Sequence, residues 1–192
     1  MNVGSDLLSE VAEHGHFRYE SGDHGDTWLD LDALVSRPGW LRPAAEALAE
    51  QLRGIETDLV CGPLEGGAFV AQWVAAALGA RFAYTAREPP SGYSIPGGFE
   101  VTGQRAVVVD DAINVGSATM ATAGVLANRG AVVVAVASLL LCLPAGAAVG
   151  PRLGVPQLHL ITVPMQVWPA ERCRLCADGL SLGPTGPASP NS

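Results

Sequence analysis

The chain has 192 residues, enough for one domain with a real core. Hydrophobic residues make up 48% and charged residues 16%, which excludes a disordered chain, and 23 glycines and 14 prolines without a repeating period exclude collagen and predict many turns. The net charge is −8 and every basic residue is an arginine, with no lysine, which argues against a nucleic-acid or anionic-membrane surface but not against a phosphorylated small molecule held by backbone amides and a metal.

In chain order, residues 6–14 read as a short amphipathic helix. Residues 16–32, HFRYESGDHGDTWLDLD, alternate apolar and polar around a Ser-Gly-Asp turn and predict a hairpin. A helix is expected over 38–53, with Pro43 tolerated only in its first turn. The rhythm then changes. Residues 57–61 form a short apolar run, followed by the turn GPLEGG and a helix over 68–78. Residues 81–85 are a second run, and 106–109 a third, followed by DDAINVGSAT and a helix to about residue 128. Residues 131–141 and 158–163 are the fourth and fifth. This repeat of strand, glycine turn and helix predicts an α/β domain: a central parallel sheet of about five strands flanked by helices. Right-handed crossovers set the loops after each strand along one edge, where ligands of such sheets bind. The uncharged stretch 131–150 has the length of a membrane span. Its β-branched start, with Pro144 and two glycines following, favours a buried strand running into a loop, and no membrane partner is expected.

The strongest chemical signal lies at 107–119. Three valines run into Asp110 and Asp111, then Ala112, Ile113, Asn114, Val115, Gly116, Ser117, Ala118 and Thr119. A buried strand would deliver two carboxylates to its carboxyl end, where acids are costly unless used. The amides of 115–119 would be unpaired at the start of the next helix, with the hydroxyls of Ser117 and Thr119 beside them, forming a cradle for a phosphate monoester. Neighbouring carboxylates accept hydrogen bonds from ribose hydroxyls, so the set suits a sugar phosphate.

This hydrophobic run, acid pair and small-residue loop resembles the phosphoribosyl-pyrophosphate (PRPP) motif of type I phosphoribosyltransferases. The turn Cys61-Gly62-Pro63-Leu64-Glu65-Gly66-Gly67 is similar to that family's pyrophosphate loop, and GHFRYESGDHGDTWLDLD to the N-terminal hood of its orotate branch. The resemblance covers roughly residues 5–165. It implies displacement of pyrophosphate from the anomeric carbon of PRPP by a base nitrogen, through an oxocarbenium-like transition state, with Mg²⁺ on the diphosphate. It implies that Asp110 and Asp111 hold the ribose hydroxyls, that 114–119 hold the 5′-phosphate, and that the amides of Leu64, Gly66 and Gly67 face the pyrophosphate. A strained peptide near Leu64-Glu65, a homodimer and a place in nucleotide metabolism come with it. The domain is then expected over 1–168, with a hood at about 5–35 and a core at about 55–165. A tail over 169–192 is expected to be partly disordered at its Pro/Ser/Gly-rich end.

The sequence also departs from the family. Asn114 and Val115 stand where threonines are usual. The hood has Glu20 before Ser21, and the loop 88–100 has no basic residue, with Arg87 alone before it. Charge developing on pyrophosphate therefore falls to Arg87, the loop amides and Mg²⁺. Glu65 either orients a base or metal-bound water or is an exposed loop acid. The run 131–141 lacks the arginine expected to clamp orotate's carboxylate, so the expected acceptor is a nitrogenous base with orotate itself a doubtful fit. The alternative is a non-catalytic PRPP- or nucleotide-binding regulatory protein. Ser21, Gly22 and His24 in the hood turn, and Tyr93 in a lid, are the expected acceptor contacts.

Four cysteines are too few for a disulfide scaffold, and no basic-then-apolar leader precedes the chain, so a cytoplasmic location with free thiols is the leading expectation. Cys173-x-x-Cys176 offers two soft ligands where structural zinc needs four. His159 is a candidate third, with a zinc shared across a dimer or a redox pair as alternatives. His14 and His16 are expected to be solvated.

Overall fold

The computed structural model describes residues 3–89 and 92–183. The hood region begins with helix α1 (Val3–Val11), which stops short of the expected residue 14 because Ala12–Arg18 form strand β1. Strand β2 (His24–Leu29) returns antiparallel to β1, with a register shift between His14 and Phe17. Helix α2 (Leu31–Val35) is capped by the Asp30 carboxylate, which accepts from Ala33 N at 2.9 Å. Helix α3 (Pro38–Leu52) runs through Pro43 beyond its first turn. The ring lies on the exposed face, where water can reach the carbonyl that lacks an amide partner.

The core then alternates strand and helix: β3 (Leu59–Pro63), α4 (Gly66–Leu78), β4 (Arg81–Glu88), the short β5 (Gly92–Ser94), β6 (Arg105–Ile113), α5 (Ser117–Asn128), β7 (Val132–Leu141), α6 (Val149–Leu153) and β8 (Gln157–Thr162). Strand order is β5-β4-β3-β6-β7-β8. Five strands are parallel, as expected, and β5 adds an antiparallel edge folded back on β4. Successive side chains leave a strand on opposite faces. Val60, Val107, Val109, Ala135 and Ala137 accordingly meet the apolar stripes of α3 and α4, including Leu41, Leu48, Val70 and Val74. Leu59, Cys61, Val108 and Val136 face Ala123 and Leu126 of α5 and Val149. Both faces are covered, which explains why these strands read as continuous apolar runs. Among the described residues no helix is long and apolar enough to cross a membrane.

The hood is built from both ends of the chain. Strand β9 (Val167–Trp168) pairs with β2, completing a three-stranded sheet β1-β2-β9. Beyond it come a 3₁₀ turn (Ala170–Arg172) and helix α7 (Arg174–Ala177). Gly183 N donates to His16 O at 2.6 Å, so residues 170–183 pack on the hood rather than trailing from it. The last part of the expected disorder, 184–192, lies outside the described residues.

Candidate active site

The carboxyl ends of β3 and β6 converge on two acids. Asp110 and Asp111 lie inside β6, and Asp110 is buried. Asp110 Oδ2 accepts from Thr119 Oγ1 at 2.8 Å, and its Oδ1 accepts from Asp111 N at 3.1 Å. Asp111 Oδ1 accepts from Ala112 N at 2.8 Å. Burial pushes the Asp110 carboxyl well above the usual carboxylate range, and the charge of Asp111 adds to the shift. Burial raises Asp111 as well. Ser138, which pairs in register with Asp110 on β7, has a buried hydroxyl without a hydrogen-bond partner.

The glycine turn presses on this pair. A Cβ at Gly66 would collide with Asp111 Oδ2, and one at Gly67 would lie 2.6 Å from Asp110 Oδ1. Only bare backbone fits so close to both carboxylates. The peptide Leu64-Glu65 is cis, at the place where the resemblance implies a strained bond. Leu64 N is anchored to Thr85 O at 2.7 Å, while the side chains of Leu64 and Glu65 are exposed.

Helix α5 supplies the third wall. Its first helical bond runs from Met120 N to Gly116 O at 2.9 Å, so the amides of Ser117, Ala118 and Thr119 precede the ladder at the positive end of the helix. Gly116 has φ +81°, and a Cβ there would collide with Val149, so a side chain is excluded twice over. Asn114 and Val115 are exposed beside it. The Thr119 hydroxyl is committed to Asp110, which leaves Ser117 as the free hydroxyl of the cradle.

Arg87 and Tyr93 are register partners on β4 and β5. With Ser117, Ala118 and Ala121 they line a cleft of about 500 Å³. This places the expected cation beside the helix terminus. It also corrects the grouping of Tyr93 with Ser21, Gly22 and His24. Tyr93 sits on the β5 edge of the sheet, and the hood joins the chain just after β8, at the other edge. His24 is a second correction. It is buried and faces His16 rather than an acceptor, with His24 Nδ1 3.1 Å from His16 Nε2. His16, expected to be solvated, is buried too. Ser21 stays exposed at the turn, bonded to Asp23, and Gly22 takes φ +89°. His159 bonds Thr162 Oγ1 at 2.9 Å and lies apart from the cysteines.

An apolar recess of about 440 Å³ opens at the carboxyl ends of β7 and β8, lined by Leu141, Cys142, Thr162, Met165 and Gln166 among others. Burial pushes the Cys142 thiol up to about 12, and the charges of Asp111 and Asp110 add to it. The recess lies at the end of β7, which pairs with the acid-bearing strand β6, Leu141 opposite Ile113. Gln166 N donates to Asp26 Oδ1 at 2.9 Å and ties it to the hood. Sequence reasoning missed this wall. The signal available was topological: two strand ends, like those of β3 and β6, opening on the same edge.

No family model matches the chain. It is 33% identical over 179 residues to the orotate phosphoribosyltransferase of Carboxydothermus hydrogenoformans, covering 92% of this chain and 91% of that one. It is 29% identical over 175 residues to that of Caldanaerobacter subterraneus subsp. tengcongensis, covering 90% and 89%. Among solved structures, Mycobacterium tuberculosis orotate phosphoribosyltransferase in complex with PRPP superposes with a TM-score of 0.69 at 20% identity, over 84% of this chain and 96% of that one. Adenine phosphoribosyltransferase from Thermoanaerobacter pseudethanolicus superposes with a TM-score of 0.67 at 20% identity, over 83% and 99%. With a strand-borne acid pair, a glycine loop and a helix terminus meeting at one sheet edge, and with relatives of this identity along nearly its whole length, the chain belongs to the orotate phosphoribosyltransferase branch of the type I phosphoribosyltransferases.

Proposed function

We propose that this enzyme transfers the 5-phosphoribosyl group of PRPP to a ring nitrogen of a pyrimidine, releasing pyrophosphate, with orotate as the acceptor. The observation that carries the reading is the meeting of Asp110 and Asp111 with the backbone of Gly66 and Gly67. The names of the relatives support orotate. A homodimer in the cytoplasm is part of this reading.

In this mechanism the amides of Ser117, Ala118 and Thr119, with the Ser117 hydroxyl, hold the 5′-phosphate at the start of α5. Asp110 and Asp111 accept hydrogen bonds from the ribose hydroxyls, and their negative charge favours the cationic sugar formed as the anomeric C–O bond breaks. The acceptor nitrogen forms the new C–N bond and gives up its proton to solvent, and pyrophosphate leaves with the electron pair of the broken C–O bond. Loop amides at 64–67 and Arg87 receive the leaving charge. The donors facing the sugar are carboxylate oxygens, which suit a hard cation. Asp110 and Asp111 would be the protein groups to hold a Mg²⁺ accompanying the diphosphate, and the ion would supply neutralisation of charge on the leaving group. The acceptor ring fits the apolar recess beside Cys142.

A second reading rests on that recess. Leu141, Cys142, Met165 and the other side chains lining it include no cation. A neutral pyrimidine would suit such a wall better than a carboxylate. Pyrophosphate release from PRPP, measured with orotate and with uracil, decides between them. Turnover with orotate supports the proposal, turnover with uracil alone supports the neutral acceptor, and turnover with neither overturns both. Activity should disappear on chelation of Mg²⁺ and return on its addition. Arg87→Ala should raise the KM for PRPP about tenfold or more, the loss expected for one hydrogen bond to a charged group. An unchanged KM would remove Arg87 from the site.

A further inference from the structure

Outside the transferase site, four metal-ligating side chains from both ends of the chain meet in the hood. They are His16 of β1, His24 of β2, Cys173 at the N-cap of α7 and Cys176 within α7, and their ligand atoms all lie within 4.8 Å of one another. His16 Nε2 is 3.1 Å from His24 Nδ1, 3.4 Å from Cys173 Sγ and 3.6 Å from Cys176 Sγ. Cys176 Sγ is 3.3 Å from His24 Nδ1. All four cysteines of the chain are free thiols, so Cys173 and Cys176 are not spent on each other.

These separations have a specific meaning. Zinc bonds of about 2.0–2.1 Å to nitrogen and about 2.3 Å to sulfur put tetrahedral ligand atoms about 3.3 to 3.8 Å apart. Three of the four separations given above, 3.3, 3.4 and 3.6 Å, fall in that interval, and the fourth, 3.1 Å between the two histidine nitrogens, lies just below it. The tautomer of His16 agrees. Its Nδ1 lies 2.8 Å from Leu180 O, a carbonyl that can only accept, so Nδ1 carries the proton and Nε2 turns a lone pair toward the other three groups. A carbonyl fixing the far nitrogen is the usual outer partner of a metal-bound imidazole. His16, His24 and Cys173 are buried, and only Cys176 is exposed.

We propose that His16, His24, Cys173 and Cys176 bind one structural Zn²⁺ within a single chain. Two thiolates and two imidazoles in tetrahedral array select zinc among common divalent ions, and four protein ligands leave no open position for catalysis. The ion clips residues 173–183 onto the hairpin that carries the Ser21-Gly22 turn. Sequence reasoning favoured free thiols and, for the zinc alternative, looked to His159 and a second subunit. The two hood histidines close the site without either.

The test uses the full-length, tag-free chain purified under reducing conditions without added metal. Elemental analysis should find one zinc per chain. After removal of that zinc, Co²⁺ should bind at one equivalent, with the intense visible bands of a tetrahedral thiolate site, and be displaced by Zn²⁺. Cys173→Ser with Cys176→Ser, and separately His24→Ala, should lose the zinc, whereas His159→Ala should keep it. Because these variants could fold poorly, the Co²⁺ titration of the parent stands as an independent check. A reduced parent that neither contains zinc nor develops the Co²⁺ bands overturns the proposal. So does bound iron with labile sulfide, or an intact mass two hydrogens short that marks a Cys173–Cys176 disulfide. Pyrophosphate release is not the readout, so this outcome is distinct from that of the transferase reading.

Discussion

Asp110→Asn is expected to cut kcat/KM for phosphoribosyl transfer by roughly a hundredfold or more, the loss of about one charge-assisted hydrogen bond together with transition-state electrostatics. The same substitution should make the ligand-free protein harder to unfold. The folded Asp110 carboxyl is raised above its unfolded value, chiefly by burial and then by Asp111. Between the unfolded pKa, about 4, and the raised folded value, the native state binds more protons than the unfolded state. Stability of the free enzyme therefore falls as pH rises through that window, and the fall is complete once the folded carboxyl has ionised. An amide keeps the shape and accepts from Asp111 N, and the Thr119 hydroxyl can rotate to accept from it, so it removes the electrostatic penalty without leaving a hole. Below about pH 4 parent and variant should melt together. At pH 7.5 the variant should melt higher, by about 2–4 °C for each kcal/mol relieved in a chain of this size. Thermal melts across pH, run beside the pyrophosphate assay, check both halves. A variant that keeps full turnover removes Asp110 from the chemistry. One that melts lower at neutral pH contradicts the burial argument. An opposed change in activity and stability marks a group held in place for a ligand rather than for the fold.

The parts of the molecule legible in the sequence were those written locally. Short continuous apolar runs such as 106–109 gave the parallel strands, and glycine punctuation at 62–67 and 116 gave the turns that bring backbone to the acids. Asp110 and Asp111 stood out because two carboxylates directly after three valines are costly to bury unless a ligand uses them. The parts that stayed hidden depend on distance along the chain. His16 and Cys173 are 157 positions apart, and nothing near either one announces the other. Strand β9 is two residues long and exists only because β2 offers it an edge. The grouping of Tyr93 with the hood failed for a related reason: both follow strand ends, but strand order puts them at opposite edges of the sheet. The recess beside Cys142 uses Leu, Met and Gln side chains, types that carry no chemical signature in a sequence.

Gly62→Ala should be the most damaging single methyl addition in the site, lowering stability by about 3 kcal/mol or more and the melting temperature by roughly 6–12 °C. Gly62 lies in β3, with β4 and β6 bonded on either side. A Cβ there would collide with Gly67 O, stand 2.5 Å from Gly67 C and lie 2.8 Å from Val109 O. All three are backbone atoms of the central sheet or of the turn that returns to it, so no side-chain rotation relieves the clash. Gly66→Ala makes the informative contrast. The three atoms nearest its Cβ all belong to the Asp111 carboxyl, the far end of a side chain that can swing aside, rather than to backbone. That variant should melt within about 1 kcal/mol of the parent, because a side-chain tip and not backbone has to give way. It should still lose transfer activity, because the carboxylate that swings aside is the one we propose to face the ribose. Gly54→Ala, with open space around its Cβ, should change neither. If Gly62→Ala proves as stable as the parent, β3 and its turn are looser than their packing implies. If Gly66→Ala keeps full activity, Asp111 is not held in place by the loop. The two glycines thus separate what the turn does for the sheet from what it does for the sugar: four residues apart in sequence, one is required by backbone and the other by a carboxylate.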